Sequence, residues 1–86
     1  MMDGIALKPI LEGILFISDS PVKLDTLSEI LHEWDREALL DGIHLIKREY
    51  EEDSRGLELV EVAGGYQFRT KPQWAQWVNR LKKSKP

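Results

Sequence analysis

The 86-residue sequence contains no cysteine and only two histidines. Without cysteine the chain forms neither a disulfide framework nor a thiolate nucleophile. No uninterrupted apolar run approaches the length of a membrane span, and the charged, proline-bearing start lacks the apolar stretch of a signal peptide. These absences and the short length predict one cytoplasmic domain that does not enter a membrane.

Residue patterns that support catalysis or metal binding are also scarce. His32 and His44 lie on predicted helices beside acidic residues, with no nucleophile and orienting group at a suitable spacing. His32 with Glu29 or Glu33 offers fewer ligands than the three or four that a metal site needs. The single Gly-Gly pair is followed by neither the third glycine nor the lysine of a phosphate-binding loop. We therefore expect no enzyme activity, no metal, no cofactor and no small-molecule substrate.

Acidic residues are missing from the last part of the chain. All 15 lie at or before Glu61, so residues 1–63 carry a net charge of −9 and residues 64–86 carry +6. Oppositely charged patches on two copies of such a chain attract each other. The asymmetry therefore favours self-association.

Apolar residues at helical spacing predict three helices before residue 57. The first begins near Pro9 and ends within residues 18–21. Asp25 and Asp35 are placed to cap the second and third helices. Arg55-Gly56 is the predicted end of the third helix, because glycine commonly terminates helices.

β-favouring residues predict a short extended segment at residues 22–24 and a hairpin within residues 57–71. A two-residue loop at positions 64 and 65 would set Glu61 opposite Phe68 and mix charged with apolar side chains. A three-residue loop of residues 63–65 would instead place Val60, Val62, Tyr66 and Phe68 on one face. We prefer the three-residue loop, with a glycine supplying positive φ.

A fourth helix follows the hairpin and opens at Thr70 and Pro72. Four apolar residues recur on it at helical spacing, and a narrow stripe of this kind usually belongs to a core. The stripe consists of Trp74, Trp77, Val78 and Leu81. Tyr66 and Phe68 are expected either to cover this stripe or to project from the hairpin toward a partner.

The order of elements predicts an α+β winged-helix fold: helix, short strand, helix, helix, β-hairpin wing and C-terminal helix. We expect a flexible N-terminal arm at residues 1–7, the winged-helix domain at residues 8–81, and a linker or truncated C-terminal end at residues 82–86. No internal repeat or low-complexity segment interrupts this order.

Winged helices often place their third helix in the DNA major groove. Here residues 36–53 contain three basic and six acidic residues, a net charge of −3. DNA-binding proteins draw much of their affinity from neutralising phosphates, so this face would be repelled over much of its length. At most weak, non-specific DNA binding is expected, and a DNA-binding winged-helix transcriptional regulator stands as the alternative function.

Residues 55–72 read RGLELVEVAGGYQFRTKP and are followed by Trp74-Ala75 and Trp77-Val78. This run resembles the N-terminal domain of segregation and condensation protein B (ScpB). Residues 10–18, then Pro21 and residues 24–27, resemble the opening helix and turn of the same family.

The resemblance implies a non-enzymatic subunit of the bacterial SMC-kleisin condensin-like complex, acting in chromosome condensation and segregation. Its implied partners are a second copy of itself, the kleisin subunit called segregation and condensation protein A (ScpA), and through ScpA the SMC ATPase. The implied location is the cytoplasm, with nucleoid association through the complex.

The resemblance supplies no site at the level of residues, so the candidates are apolar residues that the core of a monomer does not need. Phe16 projects from the first helix on the side of Glu12, away from the main apolar arc. Leu45 projects from the third helix among acidic residues. Together with Tyr66 and Phe68, they form the predicted protein interface.

Overall fold

The computed structural model describes residues 4–83. Helix α1 (Gly4–Ile17), strand β1 (Val22–Lys23), helix α2 (Leu24–Ile30) and helix α3 (Arg36–Glu49) come first. Strands β2 (Leu57–Val62) and β3 (Gly65–Thr70) form a hairpin, and a 3-10 turn (Pro72–Trp74) leads into helix α4 (Ala75–Lys83). The predicted order of elements and the α+β winged-helix class are confirmed.

Helix α1 begins earlier than the sequence indicated. It starts at Gly4, so Pro9 lies inside the helix and not near its start. Leu7 is only 3% exposed and belongs to the core, although it falls in the predicted arm. Residues 1–3 of that arm lie outside the described residues.

The two predicted aspartate caps have different outcomes. The Asp35 carboxylate accepts a hydrogen bond from the Ala38 N–H at 2.8 Å and caps α3 as predicted. Helix α2 has Lys23 as its N-cap residue, and no side chain caps it. The Asp25 cap is therefore wrong: Asp25 lies within the first turn, where its negative charge still complements the helix dipole.

Helix α3 ends at Glu49, before the predicted stop at Arg55-Gly56. The segment between α3 and β2 forms turns that are attached to the end of the hairpin by Lys71. The backbone N–H of Lys71 donates to the Gly56 carbonyl at 3.0 Å, and its buried ammonium donates to the Glu52 carbonyl. These bonds fix where the chain enters the hairpin.

The three strands form an antiparallel sheet in the order β1-β3-β2. Val62 lies opposite Gly65, and Leu59 lies opposite Phe68. The hairpin loop is thus Ala63-Gly64, whose φ angles are +54° and +77°. Positive φ at both central residues is characteristic of a type I′ turn. This register differs from the registers of both loops considered from the sequence, so both loop predictions are wrong.

This register also corrects the predicted face of the hairpin. Because side chains alternate along a strand, Val60 and Val62 lie on the face opposite to Tyr66 and Phe68. Leu59 takes the core position in their place and is 2% exposed.

The core lies where α1 packs against α3 and the sheet covers one side of the pair. Its buried side chains come from the three N-terminal helices, the turn after α2 and strand β2. They are Leu7, Leu11, Leu15, Leu27, Leu31, Leu39, Ile43, Ile46 and Leu59.

Helix α4 contributes no buried side chain. Trp77 is 54% exposed and Leu81 68%, whereas Trp74 and Val78 are half-buried. The principal neighbour of α4 is the 3-10 turn that precedes it. The stripe predicted to join the core is therefore largely at the surface. Among residues 4–83, no helix has the length and apolar character needed to cross a membrane.

Candidate protein-binding groove

An apolar groove of about 270 Å³ lies between α1 and the hairpin. One wall comes from α1, the other from β2, β3 and the residue that follows α3. We call it the α1–hairpin groove, and its lining residues are Pro9, Glu12, Gly13, Phe16, Tyr50, Leu57 and Phe68. All but one of these residues are apolar or aromatic, and Glu12 supplies the single carboxylate.

Tyr50 is held in place from three directions. Its ring and the Phe68 ring pack in a T-shaped arrangement at a centroid distance of 4.9 Å, and the Arg55 guanidinium lies 4.7 Å from the Tyr50 ring centroid. The Tyr50 hydroxyl donates a hydrogen bond to the Glu12 carboxylate. That hydrogen bond raises the pKa of the tyrosine, and desolvation by burial acts in the same direction. The groove thus has a preorganised aromatic wall.

An ion pair holds α1 and α3 together beside the groove. The Lys8 ammonium donates to the Glu49 carboxylate at 2.6 Å. This hydrogen bond lowers the pKa of the Glu49 carboxyl below its ordinary value. Both side chains are partly exposed, so the pair contributes mainly to the relative placement of the helices.

The structure brings together two of the four predicted interface residues. Phe16, 66% exposed, and Phe68, half-buried, line the α1–hairpin groove from opposite sides. Leu45 is 50% exposed on α3 and does not line the groove. Tyr66 packs against the core opposite Val22 of β1, and burial raises its pKa.

Sequence reasoning did not identify Pro9, Tyr50 and Leu57 as site residues. Apolar spacing alone places Tyr50 on the core stripe of the third helix and Leu57 at the start of a strand. Their convergence depends on how the hairpin folds back toward α1, which local spacing does not encode. The motif carrying the family resemblance does contain Leu57 and Phe68, and this was the available signal.

A larger groove, of about 510 Å³, runs along β2 and the end of α3. Much of its lining is charged, and several of these charges are already satisfied within the chain. Arg69 donates to Glu58 at 2.8 Å, and Lys71 is buried against the Glu52 carbonyl. The α1–hairpin groove is therefore the better candidate for an apolar ligand.

The histidines do not converge on a site. His44 is exposed on α3, and His32 lies in the turn after α2, so its predicted place on a helix is wrong. Within the described part of the chain, no three histidine, aspartate or glutamate side chains are grouped so as to hold a metal ion.

Comparison with known proteins gives a consistent result. The family model for the segregation and condensation complex subunit ScpB matches residues 9–86. A segregation and condensation protein B from Syntrophotalea carbinolica is 40% identical over 85 residues, which is 99% of this chain and 43% of that protein. The chain thus spans less than half the length of this curated relative.

Two solved structures show the same fold. ScpB from Mycobacterium tuberculosis superposes with a TM-score of 0.85 at 25% identity, covering 96% of this chain and 51% of the other. A dimer of the ScpB N-terminal domain complexed with an ScpA peptide superposes with a TM-score of 0.82 at 26% identity, covering 90% of this chain and 95% of the other. By the family match and these likenesses, the chain belongs to the family of the segregation and condensation complex subunit ScpB.

Proposed function

We propose that this chain is a non-enzymatic subunit of an SMC-kleisin complex, and that it acts by forming a homodimer and by binding the ScpA kleisin. The observation that carries the proposal is the likeness to the ScpB N-terminal domain whose structure is a dimer complexed with an ScpA peptide. That domain is matched over 95% of its length, so the likeness covers the whole domain and is not confined to one motif.

The α1–hairpin groove is the proposed binding site for the kleisin. Its volume fits one or two side chains of a peptide, and its lining is apolar with one carboxylate. Concave apolar surfaces with few polar groups are the usual form of a ligand site. An apolar kleisin side chain would insert between Phe16 and Phe68, and a neighbouring basic side chain or backbone N–H would meet Glu12.

Through the kleisin, the chain would join the SMC ATPase and act in chromosome condensation and segregation at the nucleoid. The DNA-binding regulator gains no support from α3. Helix α3 carries three acidic and three basic residues, so it lacks the net positive charge that a phosphate backbone attracts.

Size-exclusion chromatography with light scattering tests the proposal. The 86-residue chain is measured alone and with a purified ScpA segment. We expect a mass of two chains without ScpA and a further increase with it. A monomer at high micromolar concentration, or a mass that does not change with ScpA, would contradict the proposal.

A further inference from the structure

Helix α4 has an apolar stripe that its own domain leaves largely uncovered. The stripe is formed by Trp74 at the end of the 3-10 turn and by Trp77, Val78 and Leu81 of α4, and Trp77 is more than half exposed. The helix has 9 residues and packs mainly on the 3-10 turn before it. Isolated helices shorter than about 12 to 15 residues are marginal in water, so a helix of this length gains stability when its apolar face is covered.

The stripe of α4 has basic residues along both edges. At about 100° per residue, Arg80 lies beside Trp77 on one edge and Lys82 lies beside Val78 on the other. Lys83 lies on the far side of the helix. Residues 64–83 include no acidic residue, and Arg80 and Lys82 take part in no ion pair among residues 4–83. The surface that covers α4 should therefore be apolar at its centre and acidic at its edges.

The outer face of α3 offers one exposed apolar residue with two carboxylates toward one end. Leu45 is 50% exposed there, and Asp41 and Glu37 lie one and two turns before it on the same face. Neither carboxylate belongs to an ion pair within the described residues. His44 and Arg48 share this face, with Arg48 toward its C-terminal end. The acidic end of the face is thus the end nearer the start of α3.

We propose that α4 of one copy of the chain packs its stripe on the Leu45 face of α3 in a second copy, and that the second α4 does the same in return. Such an exchange is isologous and buries both unmatched apolar surfaces in one symmetric dimer. It brings the basic residues of each α4 against the acidic residues of the other α3. Within one chain, α3 and α4 have at most marginal contact.

The inference rests on the proposed function in one respect, which is that the chain forms a homodimer. It leaves the α1–hairpin groove free for the kleisin, since neither α4 nor Leu45 lines that groove. Charge complementarity favours a second copy as the occupant, because Glu37 and Asp41 on its α3 are acidic and take part in no ion pair among the described residues.

Charge reversal tests the proposal by sedimentation equilibrium at about 0.15 M salt. Arg80→Glu places like charges together at both symmetric contacts and should weaken the dimer about tenfold or more. Lys83→Glu makes the same charge change on the far side of α4 and should change the dissociation constant by less than about threefold. Trp77→Ser should also weaken the dimer, whereas Gln76→Ser, on the same helix outside the stripe, should not.

Mixing two single variants gives the decisive result. Asp41→Arg alone should weaken the dimer as Arg80→Glu does. In a mixture of these two variants, one contact of the heterodimer pairs the two reversed charges and the other keeps the natural pair of Arg80 with Asp41. The heterodimer should therefore regain most of the lost affinity. Recovery would also show that both variants are folded.

The possible failures are distinguishable. A wild-type chain that stays monomeric would overturn both this inference and the proposed homodimer. A dimer that Arg80→Glu and Lys83→Glu affect equally, or a mixture that does not recover, would overturn the α4–α3 contact alone. An α4 variant that loses ScpA binding while its dimer is unchanged would also overturn it, by assigning α4 to the kleisin.

Discussion

Gly65 packs so closely against Val22 that a Cβ on the glycine would lie 2.9 Å from the valine carbonyl carbon. The backbone of Pro21 is almost as near, with its carbonyl carbon at 3.0 Å. Gly65 is therefore required by close approach of β1 to β3, and its φ is not positive. The small size of Gly65 lets β1, the short strand after α1, pack against the hairpin. The hairpin forms one wall of the groove.

Gly65→Ala should lower the free energy of unfolding by about 1 to 3 kcal/mol, because a methyl group placed so near to backbone atoms forces β1 to move. Gly56→Ala is the control, since a Cβ there meets nothing within 4 Å. Urea denaturation followed by circular dichroism measures both. Equal stabilities for the two variants would refute the close-approach explanation.

Ala63 lies in the left-handed region at φ +54°, followed by Gly64 at +77°. Asn-Gly is strongly preferred in type I′ turns, whereas a non-glycine residue in this region costs about 1 to 2 kcal/mol. Ala63→Asn should raise stability by about 0.5 to 1 kcal/mol, and Ala63→Val should lower it. Thermal melts of both variants check this; a stabilising valine would rule out the two-residue loop.

The hairpin shows where sequence reasoning succeeds and where it fails. Local composition determines the two β-favouring runs and the turn between them, and both are predicted. The register of the hairpin is not predicted correctly, because both loops considered include Gly65 as a turn residue. Gly65 is a strand residue whose missing side chain makes room for β1, and that requirement comes from tertiary packing. An alanine at positive φ is also contrary to local preference.

Helix α4 departs from its prediction for a related reason. Its spacing correctly predicts an amphipathic helix, but spacing does not identify which surface the apolar stripe meets. The core of this domain is already filled by residues of α1, α2, the turn after α2, α3 and β2, so it has no place for the stripe. The α1–hairpin groove was predictable only in part. The exposure of Phe16 follows from its position off the main apolar arc of α1. Its proximity to Tyr50 and Phe68 depends on the folded hairpin.

Tyr50→Phe should destabilise the protein by about 1 to 2 kcal/mol at neutral pH, because it removes a hydrogen bond to the Glu12 carboxylate. Since the folded state raises the pKa of Tyr50, this contribution is complete below the ordinary pKa of 10.0. It is lost as the pH rises through the higher folded value.

Denaturation of wild type and Tyr50→Phe at neutral and at strongly alkaline pH measures this difference. Tyr66→Phe is the control at neutral pH, because burial and not a hydrogen bond is the main cause of the raised Tyr66 pKa. A stability difference that persists unchanged well above the folded pKa of Tyr50 would contradict the assigned hydrogen bond.

The chain should bind duplex DNA only weakly and without sequence preference, because α3 carries equal numbers of acidic and basic residues and so has no net positive charge. Titration of labelled duplexes of different sequence at several salt concentrations measures this. Submicromolar affinity near physiological salt, or clear preference for one sequence, would favour the regulator function instead.

The most direct test of the kleisin-binding claim is the affinity of a fluorescently labelled ScpA segment, measured by anisotropy against wild type, Phe16→Ser and Ile17→Ser. Both residues are exposed on α1, at 66% and 77%, but only Phe16 lines the α1–hairpin groove. Loss of a well-packed aromatic anchor typically costs about 2 kcal/mol or more, or roughly thirtyfold in affinity. We expect that loss for Phe16→Ser and near-wild-type binding for Ile17→Ser, with the dimer intact in both. Equal affinities for the two variants, or no binding of ScpA to the wild-type chain, would contradict kleisin binding in this groove.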